Sequence, residues 1–154
     1  MMMSLCCNVL NKLKGKTLVT AESCTGGGIG AALTAVPGSS AVYKGGIISY
    51  TNEVKIQQLG VDPALFDSVG AVSGEVAKAM AIGVRKALNA DVAVSVTGLA
   101  GPDGDEFGNP VGTVFIGYTD GEKSFSKACY FTGDRASIRE QTVLAALEII
   151  LQEQ

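Results

Sequence analysis

The run Asp91-Val-Ala-Val-Ser-Val-Thr97, followed at once by Gly98, constrains this chain more than any other segment. After Asp91 valine alternates with small residues, and no further charge falls inside the run. Such a run has no solvent-facing side, so it reads as a central strand covered on both faces. Thr17-Leu-Val-Thr-Ala21 is a second, shorter buried strand. Strands of this kind need helices above and below them, which points to a layered α/β fold.

The rest of the chain supplies those layers. Residues 4–14 place Leu5, Val9, Leu10 and Leu13 on one helical face. A second helix is predicted from about Thr25 to Ala35, ending at Pro37-Gly38. Val42–Tyr50 reads as a strand with a bulge or close approach at Gly45-Gly46. Thr51-Asn52 can cap a helix from Glu53 to about Leu59, and Asp62-Pro63 opens another short one. Ser73 caps a longer helix to about Leu88, with Val76, Met80, Val84, Ala87 and Leu88 inward. Val111–Thr119 and Glu122–Phe131 flank Asp120-Gly121, a hairpin signal. Asp134 begins the last helix, where Ser137-Ile-Arg-Glu140 resembles a capping box and Ile138, Leu144, Leu147 and Leu151 form the stripe. The expected fold is a three-layer α/β/α sandwich on a mixed, mostly parallel sheet with a C-terminal antiparallel hairpin. Its 154 residues suit one domain over 1–154.

Composition removes several function classes. The net charge is −3 and the basic residues are scattered, which argues against nucleic-acid binding. No apolar run has the length of a membrane span, and the first residues lack a basic leader, so a cytoplasmic protein is expected. Cys6, Cys7, Cys24 and Cys129 show no CxxC spacing, and histidine is absent, so no metal site is expected. Free thiols packed as small apolar groups suit a reducing compartment.

The candidate chemistry sits in Thr20-Ala-Glu-Ser-Cys-Thr-Gly-Gly-Gly28, which joins a strand to a helix. Open α/β sheets place ligands at such ends. Ser23 lies near the positive end of the coming helix, where free N–H groups at Gly26 and Gly27 could meet an oxyanion. A serine nucleophile needs a base, and without histidine the candidates are lysine, tyrosine, cysteine and carboxylate. Tyr50 closes the second strand and Lys55 follows five residues later. Burial and a helix N-terminus both lower a lysine pKa, so a neutral Lys55 could take a proton from Ser23 or Tyr50. Cys24 is a rival nucleophile or a small core residue. Gly26-Gly-Gly28-Ile-Gly-Ala31 fits the dinucleotide fingerprint only loosely. Asp103-Gly-Asp105 does not complete a calcium loop, and the segment Gly98–Pro110 reads as a mobile lid. Arg135 at a helix start suits either a phosphate or a surface carboxylate.

Taken in order, several segments resemble the CinA C-terminal-domain family, the nicotinamide-nucleotide amidohydrolases. They are Thr20-Ala-Glu-Ser-Cys-Thr-Gly-Gly27, Pro37-Gly-Ser-Ser40, Gly45 to Lys55, Ala71-Val-Ser-Gly-Glu-Val76, Thr97-Gly-Leu-Ala-Gly-Pro102, Pro110-Val-Gly-Thr-Val114 and Gly133-Asp-Arg135. The resemblance runs from about Thr17 to Leu151 and implies the three-layer fold and usually a homo-oligomer. It also implies hydrolysis of the carboxamide of nicotinamide mononucleotide, giving nicotinate mononucleotide and ammonia with no metal or cofactor. The family's serine, tyrosine and lysine fall on Ser23, Tyr50 and Lys55. The substrate contacts expected beside them are Thr25, Gly26, Gly27, Gly98, Gly101 and Arg135. Asn109 stands where the family often has lysine, which removes a possible contact to an anionic substrate. That departure favours an alternative, a non-catalytic nucleotide-binding or regulatory module. A dinucleotide-dependent oxidoreductase is the third reading.

Overall fold

The computed structural model describes residues 1–154. Five strands form one sheet in the order β2-β1-β3-β4-β5. They are β1 Leu18–Glu22, β2 Tyr43–Ile48, β3 Val92–Gly98, β4 Thr113–Thr119 and β5 Ser124–Tyr130. β1 is parallel to both β2 and β3, whereas β3–β4 and β4–β5 are antiparallel. The change has a topological cause. Helices connect β1 to β2 and β2 to β3, but only a loop connects β3 to β4, and without a crossover the chain must turn back. The antiparallel part of the sheet therefore reaches from the expected hairpin inward to β3.

Six helices cover the two faces: α1 Met2–Lys12, α2 Gly28–Thr34, α3 Asn52–Leu59, α4 Ala64–Ser68, α5 Gly74–Ala87 and α6 Arg135–Glu153. On one face α1, α2 and α6 pack over Leu18, Val94, Val96, Ile116 and Tyr118. On the other, α3, α4 and α5 enclose Val19, Ala21, Leu59, Val76, Met80 and Val84. No helix is long and apolar enough to cross a membrane.

Local chemistry shifts several boundaries. α2 starts at Gly28, not Thr25, because Gly26 and Gly27 take φ of 58° and 102°. A right-handed helix cannot include them, and other residue types reach these angles only at a cost. The bulge near Gly45 is real: Leu18 faces Tyr43 and Val19 faces Gly45, so Lys44 is the extra residue. Asp120 does not sit in a two-residue turn. Its carboxylate accepts from the N–H groups of Glu122 and Lys123, and β5 begins only at Ser124. The cap of α6 is Asp134, which accepts from the Ser137 N–H at 2.8 Å, so Ser137 lies inside the first turn. The inward face of α6 is wider than the expected stripe. It adds Thr142, Val143, Ala146, Ile149 and Ile150, while Leu144 and Leu151 are only half-buried. In α5, Ala77 and Ala81 take inward places, and Ala87 is exposed.

Candidate active site

The two-residue period of β1 sorts its side chains. Leu18, Thr20 and Glu22 face the α2 layer, and Val19 and Ala21 face the α5 layer. Continuing that alternation puts Ser23 on the same side as Val19 and Ala21, the side from which α3 approaches. The α3 cap is Thr51, whose hydroxyl accepts from the Val54 N–H at 3.3 Å. Lys55 and Leu59, one turn apart, are the buried residues of this short helix. The strand end and the helix together bring Lys55 Nζ to 3.0 Å from Ser23 Oγ.

The amine has two further partners, the carbonyl oxygens of Ser49 at 2.7 Å and Tyr50 at 3.3 Å. A neutral amine has two N–H donors and one lone pair. With both donors occupied by carbonyls, the lone pair is left for the Ser23 hydroxyl. Lys55 is 1% exposed, and this burial pushes its pKa down from the ordinary 10.5 to about 8. A substantial fraction of Lys55 is thus neutral near pH 8, where a general base is useful.

Ser23 and Lys55 open onto a cleft of ≈ 270 Å³ between the ends of β1, β2 and β3. Tyr50, Thr97, Gly98, Gly101 and Arg135 also line it. A second hollow of ≈ 280 Å³ shares the wall residues Asn52, Val72 and Leu99 and extends to Phe66 and Phe107. The combined groove is roomy enough for more than a simple amide.

Tyr50 and Lys55, five residues apart in sequence, are separated in role. Tyr50 is 58% exposed at the mouth, and its Oη accepts from Arg135 Nη2 at 3.1 Å. Its phenol makes no hydrogen bond to Ser23 or Lys55. The geometry therefore does not provide the expected relay through Tyr50, because α3 delivers the amine directly to the serine. Arg135 also donates from Nη1 to the Gly101 carbonyl at 2.6 Å, tying the rim of β2 to the loop after β3.

Of the expected contact residues, Gly98, Gly101 and Arg135 line the cleft, while Thr25, Gly26 and Gly27 do not. The Thr25 hydroxyl donates to Glu22 Oε1 at 2.6 Å, and the Gly26 N–H donates to the Ser23 carbonyl at 3.0 Å. Gly27 turns toward Ile48 on the opposite side. The start of α2 is not free for an oxyanion either. Glu22 accepts the N–H groups of Ile29 at 2.8 Å and Gly30 at 3.0 Å. The cleft is instead lined by Cys24, next to Ser23, whose N–H donates to no other residue. The Cys24 thiol belongs to the apolar core, and burial pushes its pKa up to about 11. It stays in the protonated, weakly nucleophilic form.

The segment expected to be a lid is braced. The Asp105 carboxylate accepts from the N–H groups of Phe107 and Asn109. The Asn109 amide donates to Asp105 Oδ2 at 2.8 Å and to the Val72 carbonyl at 3.2 Å. Asn109 thus fixes the loop to the segment that leads into α5, beside the groove.

Two residues that shape the site escape a reading of the sequence. Glu22 is 2% exposed and holds the turn after β1 from behind. Its signal was an acid closing an apolar strand just before a glycine turn, since a buried carboxylate requires N–H donors. Arg139 donates from Nε to the Cys24 carbonyl and from Nη2 to the Thr25 carbonyl, both at 3.1 Å. Its signal was the four-residue spacing from Arg135 on one helix face.

These features define a small three-layer α/β/α protein with a serine served by a buried lysine at the C-terminal ends of parallel strands. The chain belongs to the CinA C-terminal domain family, whose model matches residues 3–154. It is 53% identical over 135 residues to the nicotinamide-nucleotide amidohydrolase PncC of Pseudomonas putida, covering 88% of this chain and 84% of that protein. It is 51% identical to a putative competence-damage inducible protein of Halothermothrix orenii and 48% identical to a CinA-like protein of a Geobacter species. Those matches cover 86% and 90% of this chain but 32% and 34% of the relatives, so the chain spans about a third of their length. Among solved structures, a CinA superfamily protein from Escherichia coli superposes with a TM-score of 0.97 at 32% identity, covering 100% of this chain and 91% of that one. The protein CihA from Agrobacterium tumefaciens gives 0.94 at 37% identity, covering 98% and 94%.

Proposed function

We propose that the protein hydrolyses the carboxamide of nicotinamide mononucleotide to nicotinate mononucleotide and ammonia, with Ser23 as nucleophile and Lys55 as its direct base. The observation that carries this reading is the 3.0 Å approach of the buried Lys55 Nζ to Ser23 Oγ, with burial pushing the amine's pKa down to about 8. The similarity to an amidohydrolase of nicotinamide nucleotides supplies the substrate class. Lys55 takes the hydroxyl proton as Ser23 Oγ attacks the amide carbon. The tetrahedral oxygen anion is held by the free Cys24 N–H. The Lys55 ammonium then protonates the amide nitrogen, the C–N bond breaks, and ammonia leaves. Water, deprotonated by the same amine, attacks the Ser23 ester; the C–Oγ bond breaks, Lys55 returns the proton to Ser23 Oγ, and the carboxylate is released. Arg135 keeps N–H groups beyond those on Gly101 and Tyr50, and these meet the phosphate at the mouth.

The test is ammonia release from nicotinamide mononucleotide by purified protein without added metal. The wild type releases one ammonia for each nicotinate mononucleotide formed, and Ser23→Ala, still folded, releases none above background. Full ammonia release by Ser23→Ala would overturn the assignment.

A further inference from the structure

The turn after β1 has three backbone N–H groups that donate to no other residue, those of Cys24, Thr25 and Gly27. The first two terminate chains of hydrogen bonds that start at one side chain. Arg139 Nη2 donates to the Thr25 carbonyl at 3.1 Å. That carbonyl shares a peptide group with the Gly26 N–H, which donates to the Ser23 carbonyl at 3.0 Å. The Ser23 carbonyl shares a peptide group with the Cys24 N–H, which is free. The second chain is shorter. Arg139 Nε donates to the Cys24 carbonyl at 3.1 Å, and the other end of that peptide is the free Thr25 N–H.

In a trans peptide the C=O and N–H point in opposite directions. A cation on the carbonyl side therefore fixes where the N–H points and makes it a stronger donor, and linked peptides pass on the polarisation. The turn is also held from its other side by Glu22, which takes the Thr25 hydroxyl and the first N–H groups of α2. That carboxylate removes the helix end as an anion site. Of the three donors left, Arg139 aims the two that follow Ser23 directly, those of Cys24 and Thr25.

We propose that Arg139 is a positioning residue for catalysis: its guanidinium orients and polarises the peptides of residues 23–26 so that the Cys24 N–H stabilises the oxyanion formed at Ser23. It acts without touching substrate. The inference rests on Ser23 being the nucleophile of the amidohydrolase reading, and it deepens that reading by naming what powers the oxyanion site.

The experiment uses the full chain with Arg139→Ala and Arg139→Lys. Two readouts are taken: ammonia release from nicotinamide mononucleotide, and the rate at which a fluorophosphonate labels Ser23, followed by intact mass. Labelling passes through an oxyanion-like phosphorus centre and needs no knowledge of the natural substrate. Arg139→Ala is expected to lower kcat and the labelling rate by about 30- to 100-fold, near the low end of losing one oxyanion donor. KM should change less than threefold, and the pH midpoint set by Lys55 should stay put. Added guanidinium should restore part of both rates in Arg139→Ala. Arg139→Lys, which can hold one carbonyl but not both, should fall between the wild type and Arg139→Ala. Unchanged kcat and labelling in Arg139→Ala would overturn the proposal. So would a loss that guanidinium does not relieve, or one accompanied by a shifted pH midpoint. If the wild type labels at Ser23 but releases no ammonia, the substrate reading fails, and the labelling rates of the variants still decide the role of Arg139.

Discussion

The floor and the rim of the cleft are built on different physical terms. At the floor, Ser23, Lys55 and the carbonyls of Ser49 and Tyr50 are joined by hydrogen bonds of 2.7 to 3.3 Å, and Lys55, like Glu22 behind the turn, is almost wholly out of water. At the rim, Tyr50, Arg135 and the Gly101 carbonyl are joined by hydrogen bonds in solvent. Burial strengthens electrostatic interactions and shifts pKa values, whereas solvent screens them. The floor should therefore decide the rate of bond breaking, and the rim should decide how substrate is held. Substitutions at the two places should differ by orders of magnitude in effect.

Lys55→Met gives the largest effect. It preserves volume and removes the base, and turnover should fall by at least about 10³-fold, within the usual weight of a general base. In the wild type, kcat/KM should rise with pH to a plateau with its midpoint near 8, because only the neutral amine accepts the proton. The stability counterpart has a definite sign. The folded pKa of about 8 lies below the unfolded value, so the buried ammonium penalises the folded state below pH 8. That penalty is relieved as pH rises from about 8 toward about 10.4, where the unfolded lysine titrates. Urea unfolding across this window should show wild-type stability gaining relative to Lys55→Met. Parallel curves would mean that Lys55 is solvated, and the contrast between floor and rim would lose its basis.

Glu22→Ala should have the next largest effect, now on stability as well as rate. It strips partners from the Thr25 hydroxyl and from the N–H groups of Ile29 and Gly30. Leaving such groups unsatisfied costs about 1–3 kcal/mol each before water enters. Urea unfolding should show a loss of at least about 2 kcal/mol, and kcat should fall with it as the turn carrying Ser23 loosens. A variant as stable and as active as the wild type would mean that the turn needs no support from behind.

The fold was legible in the sequence because its strands are short apolar runs and its helix starts carry Thr51 and Ser73, the caps observed. The pairing of Ser23 with Lys55 was legible for a related reason: a polar residue closing a buried strand and a lysine in the first turns of a helix have few places to go. What could not be read was direction. Gly26 and Gly27 looked like anion-binding glycines, but their left-handed angles serve to turn the chain, and the helix end behind them is filled by Glu22. Tyr50 looked like the partner of Lys55 because the two are near in sequence. The chain leaves β2 at Ile48, and past it the carbonyls of both Ser49 and Tyr50 meet the amine while the Tyr50 ring is left in solvent. The spacing from Arg135 put Arg139 on the same helix face, but its role could not be read, because its acceptors lie more than a hundred residues away and are carbonyls, which no side-chain pattern reports.

Tyr50→Phe is the smallest effect and the sharpest test of the contrast. If the phenol carried the proton between Ser23 and Lys55, removing its hydroxyl would cost about 10²–10⁴ in kcat, the usual weight of proton transfer by a positioned group. If it only accepts from Arg135 at the solvent-exposed mouth, the loss is one exposed hydrogen bond, about 1 kcal/mol or less, and it appears chiefly in KM. The direct 3.0 Å contact of Lys55 with Ser23 leaves no gap for a relay to fill. The expected outcome is therefore a rise of fivefold or less in KM, with kcat within about twofold of the wild type and the pH midpoint near 8 unmoved. A hundredfold loss of kcat would move Tyr50 from the rim to the floor and require the mouth to close over the serine during turnover.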